Sequence, residues 1–206
     1  MIAIIDYEAG NLTSVKRALD FLEIPSQISA DPEYIQAAER VIFPGVGNAG
    51  SAISALKRTG LDRALKDCFA AGTPIMGICL GTQIILSHSD EEDTNCLGLI
   101  EGNSPKFKLT DKTLKIPHMG WNEVKVTREH FVLKDIQAGD EFYFVHSFYP
   151  QPADQDLVFA TSEYEITFPA AIGYKNLFAT QFHPEKSGRL GLNILKNFSR
   201  WDGSTC

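Results

Sequence analysis

Short apolar runs alternate with amphipathic stretches through the first half of the chain, and this alternation constrains the fold more than any other feature. "IAIID" reads as a buried strand. "NLTSVKRALDFLE" follows, with Leu12, Val15, Ala18, Leu19 and Leu22 at the 3.6-residue period of an amphipathic helix. "SQIS" reads as a short strand and "RVIF" as another. Between them "DPEYIQAAE" places Asp31 as a helix N-cap and Pro32 at the first helical position. "AGSAISALKRTG" and "LDRALKDCFAAG" are helical segments closed by glycine. "PIMGI" is a strand, and "GTQIILSH" a helix over 81–88. Strands alternating with helices imply a parallel sheet covered on both faces.

From "LGLIEG" onward the pattern changes. "KFKL", "WNEVKVT", "EFYFVHSFY", "LVFATSEY", "AAIGYKN" and "LFATQFH" have strand character, and turn residues separate them. "SGRLGLNILKNFSRW" reads as a closing helix capped by Ser187. The expected fold is α/β: a flavodoxin-like, open, mostly parallel sheet covered by helices, with antiparallel strands added in the C-terminal half. A chain of 206 residues, 44% hydrophobic, suits one domain over 1–206.

The net charge of -7 argues against nucleic acid or an anionic membrane as the main partner. No segment approaches the roughly 18 to 20 apolar residues of a membrane span. "MIAIIDYEAG" lacks the basic start of a signal peptide. The four cysteines show no paired spacing, so reduced thiols and a cytoplasmic location are expected. The acidic cluster Asp90 to Asp93 reads as a solvated loop. C-x-x-C and H-x-x-x-H spacings are missing, so no metal and no cofactor is expected.

One cysteine stands apart. In "PIMGICLGTQ" the strand ends at Cys79, with Gly77 and Gly81 two residues to either side. A strand ending in G-x-C-x-G before a helix is the thiol version of a nucleophile elbow. Glycines permit the crowded turn because they lack Cβ atoms. The helix start would favour a thiolate, and the Leu80 N–H would point at a developing oxyanion. A lone cysteine is otherwise a small hydrophobe. Cys68 takes that reading, on an apolar helical face with Leu61 and Leu65. Cys96 falls in a loop and Cys206 at the chain end, neither near a base in sequence.

A thiol nucleophile needs a base, and "LFATQFHPE" offers His183. Glu185, two residues on, leans to the same side of an extended chain, and Pro184 keeps His183 out of the helical region. Glu185 would then orient the imidazole, completing a triad. "FPGVGNAG" competes for attention, because Gly45, Gly47 and Gly50 match the G-x-G-x-x-G of dinucleotide-binding oxidoreductases. It follows the third strand rather than the first, Pro44 interrupts the strand exit, and the next strand ends in Ile78-Cys79 instead of an acid. The other use of such a turn is to present a backbone N–H to an anion, here a second oxyanion donor at Val46.

Together these residues resemble a class I (triad) glutamine amidotransferase over essentially the whole chain. "PGVG", "GICLGTQ" and "QFHPEKS" stand in the family's order. "DYEAGNL", "PGVGNAG", "IPHMGWN" and "FYFVHSFY" are similar to the glutaminase subunits of imidazole glycerol phosphate synthases. Glu8 departs from the glycine common there. The resemblance implies that Cys79 attacks the glutamine side-chain amide, that His183 moves protons and that Glu185 orients it. It implies that Gly47, Gln83, His146, Ser147 and Phe148 hold glutamine. Otherwise Gln83 would read as an exposed helix residue and His146 as a strand-end hydrogen bond. It implies a (β/α)8-barrel cyclase as partner, a heterodimer, with His118, Met119, Trp121 and Asn122 at the interface. A core strand with buried Trp121 is the alternative. Anthranilate or pyridoxal phosphate synthase glutaminases fit "HMGWN" and "PGVGNAG" less well. An intact Cys79, His183 and Glu185 argue against a non-catalytic regulatory module.

Overall fold

The structure, a computed structural model, describes residues 1–8 and 10–204; Cys206 lies outside the described residues. The first half forms parallel strands β1 (Ile2–Ile5), β2 (Ser26–Ser29), β3 (Arg40–Gly45) and β4 (Ile75–Cys79). Helices α1 (Leu12–Phe21), α2 (Pro32–Gln36), α3 (Ala49–Thr59) and α4 (Leu61–Ala70) connect them, and α5 (Leu80–Ile84) follows β4 without a linker. Asp31 caps α2 by accepting the Glu33 N–H at 3.0 Å.

The second half adds β5 (His88–Ser89), β6 (Thr94–Asn95), β7 (Gly102–Ser104), β8 (His118–Glu123), β9 (Lys125–Val126), β10 (Glu141–His146), β11 (Gln151–Pro152), β12 (Val158–Tyr164), β13 (Ile166–Tyr174) and β14 (Leu177–Thr180), then α6 (Gly188–Phe198). The central sheet runs β2-β1-β3-β4-β14-β13-β12-β9. Its first five strands are parallel; β13, β12 and β9 continue it antiparallel. β8 and β10 form a separate antiparallel ribbon, and β11-β7-β5-β6 a small mixed sheet.

Period-two alternation sends Ile2, Ile4, Met76 and Ile78 to one face, where they pack on Val15 and Leu19 of α1 and on Ile194 and Phe198 of α6. Ala3, Ile5, Val41 and Phe43 face the other way, onto Ile53 and Leu56 of α3 and Leu61 and Leu65 of α4. Each buried Val, Leu, Ile, Met or Phe among them contributes about 1.5–3 kcal/mol against exposure. With both faces covered, the ends of the parallel strands are left as the place for chemistry.

Several local expectations differ from the structure. The helix after Cys79 ends at Ile84 instead of reaching His88. The Ile84 and Ile85 carbonyls accept N–H groups from Leu97 and Leu99, both at 2.9 Å, so they are lost to the helix. "KFKL" forms no strand; one bridge from Lys106 to Phe148 is its only pairing among the described residues. "WNEVKVT" is broken at Val124, whose N–H bonds the Asp140 carbonyl at 3.0 Å. Asp90 to Asp93 is no free loop, because Glu91 Oε2 accepts the Ala49 N–H at the start of α3 at 2.7 Å. Ser187 precedes α6 without capping it. Its hydroxyl donates to the His183 carbonyl at 2.7 Å and accepts the Tyr143 N–H at 3.0 Å.

Candidate active site

Cys79 ends β4 in the middle of the sheet. Gly45 of β3 pairs beside it, and Thr180 of β14 pairs with Ile78 on the other side. Its backbone is strained, at φ 54 and ψ −106, as the elbow requires. Such a conformation costs on the order of 1–3 kcal/mol and persists only where the surroundings enforce it. The flanking glycines are part of that enforcement. A Cβ on Gly81 would stand 2.1 Å from the Phe43 carbonyl oxygen, and one on Gly77 2.9 Å from the Ala179 Cβ. Leu80 is the first residue of α5. At five residues, α5 is shorter than the helix expected there.

β14 leads through Gln181 and Phe182 to His183, whose N–H bonds the Tyr143 carbonyl at 2.9 Å. Pro184 then opens a 3-10 turn over Pro184–Lys186 that folds Glu185 back. His183 Nδ1 meets Glu185 Oε1 at 2.7 Å. The contact arises from this turn and not from two residues on one side of an extended chain. The Asn11 side-chain amide also donates to Glu185 Oε1. The His183 and Glu185 side chains are 1% and 0% exposed. Burial alone would lower the His183 pKa. The Cys79 sulfur and the Glu185 carboxylate outweigh it and raise the value to about 10. His183 Nε2 makes no hydrogen bond of ordinary geometry in this state.

The remaining expected site residues divide. Gln83 is buried, not exposed, and its amide nitrogen donates to the Phe148 carbonyl at 2.8 Å and to Gln181 Oε1 at 3.0 Å. His146 is buried with both ring nitrogens engaged, Nδ1 on the Phe148 carbonyl and Nε2 on His118. Ser147 and Phe148 are half-buried beside it. Gly47, exposed and at φ 112, lines a cavity of about 200 Å³ with Tyr7, Glu8 and Val46. Met119 and Trp121 are 63% and 53% exposed, so the buried-core alternative for Trp121 fails. His118 is not on the surface with them. It is 3% exposed, because strand alternation turns it away from Met119. Asn122 is half-buried and bonds inward to the Glu163 carbonyl at 2.8 Å.

Two residues escape sequence reasoning. Gln181 is fully buried, and its amide reaches Cys79 Sγ at 3.7 Å. A glutamine in the apolar run "LFATQF" is the available signal. Glu91 reads as solvated in the sequence. Its carboxylate occupies the start of α3, where a dinucleotide-binding turn would receive a pyrophosphate, and this overturns the G-x-G-x-x-G reading.

Three histidines are held neutral by burial. The pKa values of His118 and His130 fall from 6.5 to about 4. That of His146 falls to about 3, by burial first, then by neighbouring His118 and His183 against the Phe148 carbonyl. At these three positions the unfolded chain binds protons that the folded chain refuses, so their contribution to stability falls as pH drops below about 6.5, while His183, with its raised pKa, offsets part of that loss. Denaturant melts at pH 7 and pH 5 should differ by about 1–2 kcal/mol per histidine. A His130→Phe variant should lose one such increment of pH dependence. Its ring stacks on Phe178 at 4.2 Å, a packing that phenylalanine preserves.

A family model for glutamine amidotransferase class-I matches residues 3–200. The chain belongs to the class-I glutamine amidotransferases. Among curated relatives of this amidotransferase, the imidazole glycerol phosphate synthase subunit HisH of Nitratidesulfovibrio vulgaris is 52% identical over 206 residues, covering 98% of this chain and 96% of that one. The subunit of the same name from Dehalococcoides mccartyi is 43% identical, covering 96% of each. Solved structures share the fold at lower identity. A putative GMP synthase protein from Thermoplasma acidophilum has a TM-score of 0.74 at 22% identity, over 97% of this chain and 92% of that chain. The PurLQS structure from Thermotoga maritima has 0.72 at 17%, over 96% of each. Among the described residues, no helix of the amidotransferase is long and apolar enough to cross a membrane.

Proposed function

We propose that residues 1–206 form a single amidotransferase domain that hydrolyses glutamine to glutamate and ammonia and passes the ammonia to a cyclase subunit. Cys79 Sγ attacks the side-chain carbonyl carbon of glutamine. Val46 and Leu80 supply N–H groups to the oxyanion. The C–N bond breaks as His183 gives its proton to the departing nitrogen, and ammonia leaves a γ-glutamyl thioester. His183 then takes a proton from water, whose oxygen attacks the thioester. Glutamate departs and the sulfur is restored. Glu185 holds the imidazole throughout, and Asn11 holds Glu185. Gly47, Gln83, Ser147 and Phe148 form the walls around the substrate, with His146 behind them. The observation that carries this reading is the strained Cys79 close enough to a buried His183–Glu185 pair to act on the His183 ring.

The HisH relatives support a synthase in which this chain is one subunit, and the partner in this reading is a (β/α)8-barrel cyclase. Products would be imidazole glycerol phosphate and aminoimidazole carboxamide ribotide, in histidine biosynthesis in the cytoplasm. Met119 and Trp121 lie exposed on β8, with Tyr143 edge-on to Trp121 at 6.2 Å. The Val145 carbonyl, on the paired strand, is 3.7 Å from Cys79 Sγ. An apolar face so close to the nucleophile suits a partner that receives ammonia. The test is to mix the chain with a barrel cyclase and its ribulosyl substrate. Glutamine-dependent imidazole glycerol phosphate formation is expected; its absence, with ammonia-dependent formation intact, would refute the reading. Trp121→Ala should weaken cyclase binding by about 2 kcal/mol or more, as an exposed anchor does. Its thermal stability should change by less than about 0.5 kcal/mol. Calorimetry and melts separate the two.

A further inference from the structure

A line of hydrogen bonds crosses the molecule from β8 to the nucleophile, and its direction is fixed at both ends. The Asn122 amide nitrogen donates to the Glu163 carbonyl at 2.8 Å, and its oxygen accepts the Glu123 N–H at 2.9 Å, so the orientation of the amide is settled. Its second N–H therefore points at His118 Nε2, 3.3 Å away, which must accept. At the other end, His146 Nδ1 lies 2.8 Å from the Phe148 carbonyl and must donate. Between the rings, His118 Nδ1 and His146 Nε2 are 3.0 Å apart. One arrangement satisfies all three contacts with neutral rings: both histidines carry their proton on Nδ1. A second proton on either ring would set two donors face to face, in keeping with the low pKa of both.

The line continues. The Phe148 carbonyl accepts a second bond, from the Gln83 amide at 2.8 Å. That amide's other N–H goes to Gln181 Oε1 at 3.0 Å, and the Gln181 amide donates to Cys79 Sγ at 3.7 Å. Both N–H groups of Gln83 are thus spent on protein, which leaves its oxygen as the one polar atom of the amide outside this line. The position of that oxygen depends on where the Phe148 carbonyl sits, and the carbonyl is held by the histidine pair.

We propose that His118 and His146 form a fixed-tautomer relay that positions the Phe148 carbonyl and Gln83, and so aligns the glutamine pocket with Cys79. His118 and Asn122 are positioning residues that touch no substrate. They act from the inward face of the strand whose outward face carries Met119 and Trp121. The inference rests on the amidotransferase reading above for what the pocket binds, but not for the existence of the relay.

The His118 ring stacks on Tyr164 at 4.1 Å and on Phe144 at 5.1 Å, which separates packing from hydrogen bonding. His118→Phe keeps the stack and loses the relay. His118→Asn loses the stack but keeps a donor at the Nδ1 position. In the cyclase complex, His118→Phe should raise the KM for glutamine about tenfold with a smaller change in kcat, and His118→Asn should stay within about threefold of wild type. Thermal melts should rank the variants the opposite way, with His118→Phe the more stable. A merely structural histidine would give the same ranking in both measurements, and that result would overturn the relay. Nitrogen-15 spectra of the histidine rings at pH 7 should show Nδ1–H on both His118 and His146; Nε2–H on either overturns it. If the wild-type complex does not hydrolyse glutamine, the functional reading fails by itself. The relay is then judged by the ring spectra and by iodoacetamide alkylation of Cys79. The alkylation rate should change about threefold in His118→Phe and not in His118→Asn; equal rates in both would overturn it.

Discussion

Glutamine hydrolysis by the cyclase complex is expected to fall at least about 10⁴-fold when Cys79 is replaced by alanine, the scale seen when a nucleophile is removed from a catalytic set. Supplied ammonia should still support imidazole glycerol phosphate formation at the wild-type rate, because only the generation of ammonia is lost. Replacing Cys68 or Cys96 should leave glutaminase activity intact. Burial, with the nearby Asp67 charge, pushes the Cys68 thiol up to about 11, and burial with Glu91 does the same at Cys96. Neither has a strained backbone or an imidazole partner among the described residues. Steady-state glutamate release across the three variants decides the matter. Substantial turnover by Cys79→Ala would mean another nucleophile.

The second large effect concerns the partner. The chain by itself is expected to hydrolyse glutamine about 10²- to 10³-fold more slowly than in complex with the cyclase and its ligand, the cost of one missing oxyanion donor. Leu80 comes with the elbow, so the variable donor is Val46. Val46 lies between two glycines, and Gly47 already occupies a left-handed conformation that few other residues tolerate. Rotation of the Gly45–Val46 peptide is comparatively easy and would turn the Val46 N–H toward the site only when the partner is engaged. Glutamine hydrolysis by the chain alone, with cyclase, and with cyclase plus a substrate analogue provides the comparison. Equal rates in all three would exclude the switch. A Gly47→Ala variant, strained at φ 112 but free of any steric neighbour within 4 Å, should be impaired mainly in the stimulated rate.

The parallel half of the fold is legible in the sequence because its signals are local. Period-two and period-3.6 patterns, a capping Asp31 and glycine stops specify β1 through α4 without long-range information. The elbow is legible for the same reason: Gly77, Cys79 and Gly81 describe a backbone shape by themselves. What stays hidden depends on partners distant in sequence. The apolar run Ile84–Leu86 fits a helix, but Leu97 and Leu99 compete for its carbonyls and win. "KFKL" has strand composition but finds only a single bridge, from Lys106 to Phe148. Glu91 looks solvated until α3 is brought against it. Ser187 fits a cap until Tyr143 arrives to claim its hydroxyl.

At the site, sequence reasoning picks out Cys79, His183 and Glu185 as a proposed triad but joins His183 to Glu185 through the wrong geometry, since a 3-10 turn and not an extended chain makes the contact. The burial of His118, unexpected beside Met119 and Trp121, has a simple cause. "HMGWN" looks like one surface unit, but a strand alternates, so Met119 and Trp121 cannot share a face with His118 and Asn122. Gln181 stays hidden because nothing in a single sequence marks a glutamine that points at a thiol.

The covalent catalysis proposed for Cys79 is open to direct measurement. The complex turning over glutamine is quenched in acid, digested, and its peptides are sequenced by mass spectrometry. A γ-glutamyl adduct on the peptide containing Cys79, lost in Cys79→Ala, is the expected result. An adduct on a different residue, or sustained glutamate release with no adduct at Cys79, would contradict the account.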